Sequence, residues 1–255
     1  MYEVKNALKK ILKQPEDFLI IHYSSQSLFD EVENAFSPRI TSIVVMFHAT
    51  RQTVNFSLHS IAEEMGIAKA DAAASYDEIE RQLLQRFYAF AQSNFEKCWL
   101  HWNMRNTVFG FEHLEHRFRV LTKNSPPTIP YDNRVNISDI LKHKYGPEYA
   151  QDPRMLKLME LNGKRDPRFL SGSDEAVAFG RQEFIRMNSS TISKVEFFRY
   201  VTEKAAIGKL KTAGSTLPIK LDRALDSSTS RVIAFSSGVI GIPSGILGML
   251  LYFFG

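Results

Sequence analysis

The sequence predicts an α/β domain, a mixed sheet of about four or more strands with flanking helices, followed by one C-terminal transmembrane helix. Three observations carry this reading. After a short helix, three apolar or alternating runs of strand length open the chain. Long segments with apolar residues at helical spacing then bracket a further short apolar run. From Val232 to Phe254 there is no charged residue.

Val4, Leu8, Ile11 and Leu12 form one stripe within residues 1–14, a helix that Pro15 closes. Residues 17–23 (DFLIIHY) are a continuous apolar run, as expected of a buried strand. Residues 25–38 read as a loop, and 39–49 (RITSIVVMFHA) as a strand rich in β-branched residues. Residues 53–61 (TVNFSLHSI) alternate and read as a third, antiparallel strand. A helix is expected over 70–94, where Ile79, Leu83, Leu84, Phe87, Phe90 and Ala91 recur at helical spacing. A short strand follows at 98–102 and a second helix at 107–121. The Pro-rich stretch 123–133 (KNSPPTIPYDN) is a loop, and beyond it every segment reads as helical, ending in a long helix over 189–209. Strands and helices in this order give an α/β or α+β arrangement.

The expected organisation is a soluble cytosolic domain over 1–211, a basic juxtamembrane linker over 212–231 and a transmembrane helix over 232–254. The last segment holds 23 uncharged residues, and roughly 20 helical residues cross the hydrocarbon core. The net charge of +4 sits beside it: from Lys204 onward six basic residues face two acidic ones, so the first 203 residues are neutral overall. Basic residues there fit the positive-inside rule and attraction to anionic lipid, which makes membrane lipid the expected partner. The charge therefore gives nucleic-acid binding no support. A single cysteine, Cys98, excludes an internal disulfide and any Cys-based zinc site, and suits a reducing compartment.

Two local matches then bear on family. The first strand ends in IIHYSSQS, residues 20–27, and the fourth is followed by LHWNMRN, residues 100–106. With the order of elements, these resemble the DnaQ-type, or DEDD, exonucleases, which have a ribonuclease-H-like fold. The resemblance covers about residues 17–200. It implies an Asp-x-Glu motif at the end of the first strand, a motif of the form His-Asn-x-x-Phe-Asp after the fourth, and a third motif on the last helix, at 187–196 (MNSSTISKVE). Such enzymes hold two divalent cations through four carboxylates. This chain departs from that pattern. His22 and Ser24 stand at the Asp-x-Glu positions, His101 opens the second motif and Asn106 ends it, and the last helix offers Glu196. The resemblance implies a nuclease-like frame with its catalytic carboxylates missing.

Other chemistry has thinner signals. His113 and His116 lie three apart on one helical face with Glu112 and Glu115 adjoining, the spacing of a metal-binding pair. The pattern is not His-Glu-x-x-His, there is no Gly-x-Ser-x-Gly elbow, and neither phosphate-loop glycine motif occurs. No cofactor is expected. Aromatic residues such as Tyr88, Trp99 and Trp102, interleaved with Arg86 and Arg105, could stack on single-stranded nucleic acid, but fit a packed core better.

In the terminal run, Ala234, Gly238, Gly241, Gly245 and Gly248 share one stripe, and small residues on one face let helices approach closely in lipid. Self-association through this stripe is expected, with a kink at Pro243. The sequence thus points to a membrane-anchored, non-enzymatic binding or sensing protein of the kind a bacterial defence or stress system uses. The alternatives are a divergent metal-dependent nuclease or hydrolase, and a structural membrane adaptor. The full-length chain is expected to stay with the membrane pellet through a carbonate wash, and a chain lacking 232–255 to move to the supernatant. A full-length chain that washes off would remove the anchor from this reading.

Overall fold

The computed structural model describes residues 4–26, 37–68, 71–105 and 108–215. Helix α1 (Val4–Lys13) leads through a 3-10 turn (Pro15–Asp17) into strand β1 (Phe18–Ser25). Strands β2 (Ile40–Phe47) and β3 (Thr53–Ser57) follow, then helices α2 (Leu58–Glu64) and α3 (Tyr76–Gln92). Strand β4 (Cys98–His101), helix α4 (Phe111–Thr122) and strand β5 (Arg134–Asn136) complete the sheet. The remaining helices are α5 (Ile137–Tyr145), α6 (Arg154–Leu161), α7 (Gly172–Gly180) and α8 (Phe184–Ala206). All of these lie in one compact unit, Met1–Lys211, and a second unit comprises Thr212–Gly255.

The chain is α/β, with a five-stranded mixed sheet in the order β3-β2-β1-β4-β5. β2 runs antiparallel to β1 and β3, while β4 runs parallel to β1 and β5. Central β1 is buried along its whole length, which is why its sequence is a continuous apolar run rather than an alternation. Its residues nevertheless divide by face. Leu19, Ile21 and Tyr23 join the core formed with α3 and α4. Phe18 and Ile20 join the core formed with α1, α5 and α8.

Three sequence expectations need correction. The expected third strand stops at Ser57, and Leu58 begins a helix. Leu58, Ile61 and Ala62 are all buried, a spacing of three and four that belongs to a helix and not to a strand. The last helix starts at Phe184, about a turn earlier than its polar stretch suggests. β5 interrupts the helical tail: it has three residues, Arg134–Asn136, too few to show a period. The expected transmembrane segment 232–254 lies outside the described residues. Among the described residues no helix is long and apolar enough to cross a membrane.

Polar side chains lock the apolar layers in register. Glu80 of α3 and Arg117 of α4 form a buried pair, with side chains 1 % and 8 % exposed. Arg117 Nε donates to Glu80 Oε1 at 2.9 Å, and the Ile40 N–H donates to the same oxygen at 2.9 Å. Burial pushes the Glu80 carboxyl up, while Arg117 and the Ile40 N–H pull it back down. Removing one partner strands the other charge in the core. Arg117→Leu is expected to cost about 3–5 kcal/mol in urea unfolding, and Glu80→Leu combined with Arg117→Leu to cost less than the single change. A loss below about 1 kcal/mol for Arg117→Leu would show that the pair does not hold α4 in place.

Candidate polar cluster at the end of the central strand

Hydrogen bonds fix the direction of α8 across the sheet. The His48 N–H donates to the carbonyl of Phe18, at the start of β1, and the His48 side chain meets Thr202 Oγ1 at 3.3 Å. At the other end Ser42 Oγ meets Thr191 Oγ1 at 3.0 Å, and Ser42 is the register partner of Ser24. So α8 runs antiparallel to β1, and its N-terminal half lies over the end of that strand. His22 lies between, its ring edge-on to Phe198 at 5.3 Å. His22 and Ser24, two apart on a strand, share the face toward α8. The register shifts between Ser24 and Ser25, so Thr41 is an extra residue of β2 at this point. Bulges of this kind often stand beside functional sites.

The groups gathered here are polar and buried. His22 Nδ1, Ser24 Oγ, Thr41 Oγ1 and Asn188 Oδ1 have no hydrogen-bond partner among the described residues. Their concentration at one end of one strand sets this place apart, since each orphaned group costs about 1–3 kcal/mol. Ordered water or a polar ligand is what ordinarily satisfies such groups. One turn beyond Thr191, Lys194 Nζ donates to Glu175 Oε1 of α7 at 2.6 Å, both side chains nearly buried. Ser190 Oγ accepts the Leu170 N–H at 3.0 Å and points its proton toward Glu175 at 3.4 Å. Burial first, then the charge of Lys194, holds His22 well below the ordinary histidine range, so its ring is neutral.

This set is a buried group of hydrogen-bonding side chains of which several have no partner. It is poorly suited to the chemistries the sequence raises. Ser24 makes no hydrogen bond to His22, so its hydroxyl has no base to activate it. The carboxylate present, Glu175, already serves Lys194. Among the described residues no group of three His, Cys, Asp or Glu side chains is placed to hold a metal ion.

The residues singled out from sequence do not all meet here. His22 and Ser24 do. Glu196 is exposed on α8 and paired with Arg168 at 2.6 Å, turned away from the sheet. His101 lies on the opposite face of the sheet, edge-on to Phe111 at 5.3 Å, and its Nδ1 accepts the Met104 N–H. Asn106 lies outside the described residues, as do Ala234, Gly238, Gly241, Gly245 and Gly248. His113 and His116 do not form a ligand pair. His113 Nε2–H donates to the Pro38 carbonyl at 2.9 Å, and its Nδ1 accepts the Tyr23 hydroxyl at 3.0 Å, so both ring nitrogens are used. His116 is exposed. Tyr88, Trp99 and Trp102 are core side chains.

Asn188, Thr191, Lys194 and Glu175 were not anticipated. The available signal was the run Asn188–Ser193, polar except for Ile192, in a helix otherwise rich in large apolar residues. Such a run reads as a solvent face unless the strand opposite is also polar, as Ser24, Ser25, Thr41 and Ser42 are here.

Buried neutral histidines make stability depend on pH. Burial, then nearby arginines, lowers His101 to about 3. Burial, opposed by the bond to Pro38, lowers His113 to about 4. Unfolding returns each to about 6.5, so the unfolded chain binds the extra protons and stability falls as pH drops below that value. Between pH 7 and pH 5 each of the two is expected to remove about 2 kcal/mol from the unfolding free energy in urea. A flat profile over that range would contradict the buried, neutral state of these rings.

Against known proteins, the chain matches no family model, no curated protein and no solved structure.

Proposed function

We propose that this chain is a membrane-anchored, non-enzymatic binding or sensing protein whose N-terminal domain keeps a nuclease-like frame without nuclease chemistry, as a component of bacterial defence or stress response would. One observation carries the reading. At the end of β1, where the resemblance puts a carboxylate pair, stand His22 and Ser24 under α8 with Thr191, and the one carboxylate of the group, Glu175, is taken up by Lys194.

The order of elements supports the ribonuclease-H-like reading: a three-strand meander, α3, β4 and then α4. The uncharged run 232–254 supports the anchor, and its glycine stripe supports self-association in lipid. Two-metal hydrolysis needs several hard anionic oxygens converging on one point. Glu196, the carboxylate the resemblance leaves on the last helix, is held outward by Arg168. What remains suits recognition, in which a polar ligand satisfies groups that the fold leaves without partners.

The test is nuclease assay of the full-length chain on single-stranded DNA and RNA with Mg²⁺ or Mn²⁺. No degradation above the level of a His22→Ala, Glu175→Gln double variant is expected. Metal-dependent degradation by the native chain that is lost in that variant would overturn the reading and restore the divergent-nuclease alternative.

A further inference from the structure

We propose that the cleft bounded by α2, α3 and the α7–α8 junction is a binding site for a small organic cation with an apolar body. The cleft has a volume of about 570 Å³, inside the range of roughly 300–1,000 Å³ found for small-ligand sites. Its floor is apolar: Leu58, Ala62, Ala72, Ile79 and Phe184 line it and are each less than a tenth exposed. Tyr76 forms a wall. Its ring packs against Phe179 at 6.0 Å and Phe184 at 5.6 Å, and those two rings lie 5.9 Å apart. Three mutually packed rings make that wall rigid, so the site does not have to be ordered when a ligand enters.

The charges at the mouth choose the ligand. Glu63, Glu183 and Arg186 stand there with His59. Arg186 is already neutralised by Glu183, Nη1 to Oε2 at 2.8 Å. Glu63 makes no ion pair with Lys or Arg among the described residues, and burial keeps the neighbouring His59 below its ordinary range even though the Glu63 charge pulls the other way. The described lining residues therefore carry one uncompensated negative charge above an apolar floor. An anionic head group would meet Glu63 and Glu183 together, and a neutral one would leave Glu63 without a counter-charge. An ammonium on an apolar stem satisfies both parts of the site. The proposal uses none of the groups at the end of β1 and stands apart from the function proposed above.

Three isosteric probes test it: 4-phenylbutylamine, 4-phenylbutanol and 4-phenylbutanoate. Binding is read by saturation-transfer NMR and calorimetry on the full-length chain, with a protein-free sample subtracted. The amine is expected to bind saturably, the alcohol about threefold to fivefold more weakly and the carboxylate about tenfold more weakly, as a partly exposed ion pair allows. Ala62→Trp fills the floor and should abolish binding of all three. Glu63→Gln, at an exposed position that leaves the fold alone, should bring the amine down to the alcohol. A carboxylate that binds as tightly as the amine, amine binding that survives Ala62→Trp in a protein of native melting temperature, or no saturable binding by any probe would each overturn the proposal.

Discussion

A carboxylate cannot stay charged in an apolar interior unless a cation and hydrogen-bond donors surround it, and Glu80 of α3 imposes that condition on everything near it. Arg117 answers from α4 and the Ile40 N–H answers from β2. Arg117 also donates to the Ser37 carbonyl, and His113, one turn before it, donates to the Pro38 carbonyl. One face of α4 thus grips two successive carbonyls of the segment that leads into β2. The grip extends to β1, because Tyr23 donates to His113 and accepts the Gly110 N–H at 2.8 Å. Apolar contacts alone would let α4 slide over the sheet, since their energy depends on area and not on direction. The polar chain gives it a single seat.

That arrangement makes the two faces of β1 unlike. On the α4 side, the polar atom of Tyr23 has both a donor and an acceptor in place. On the α8 side, the neighbours His22 and Ser24 keep atoms without partners. Both residues are nearly inaccessible to water, so burial does not explain the difference. A fold that satisfies one polar group this fully can satisfy others. The groups without partners gather instead at the bulged end of the same strand.

Much of the frame was legible in the sequence, and the parts that were not have identifiable causes. The continuous apolar run of β1 and the spacing of Ile79, Leu83, Leu84 and Phe87 announce a central strand and a helix laid on it. β5 escaped because its three residues rest on the sheet through pairing with β4, and backbone pairing leaves no trace in side-chain pattern. The α2 boundary was readable at Leu58 and Ile61, but the preceding alternation carried the strand expectation past it. At the candidate site, His22 and Ser24 could be located by their place at the end of a strand. Lys194 and Glu175 could not. A buried lysine looks like a surface one until its partner, on another helix, is brought beside it.

The same pair sets the electrostatics of the polar cluster, which differ from those of a cluster of carboxylates. A cluster of carboxylates becomes neutral only when divalent cations enter, so it attracts metal strongly and repels a polyanion without it. Here Lys194 and Glu175 cancel within the protein, and His22 is neutral. The cluster reaches neutrality from its own residues. It has no field with which to draw in a cation and none with which to exclude an anion. What Ser24, Thr41, His22 and Asn188 offer is direction, through hydrogen bonds, and hydrogen bonds between neutral groups depend little on salt. That neutrality follows from one lysine on α8 that meets its carboxylate partner on α7 inside the protein.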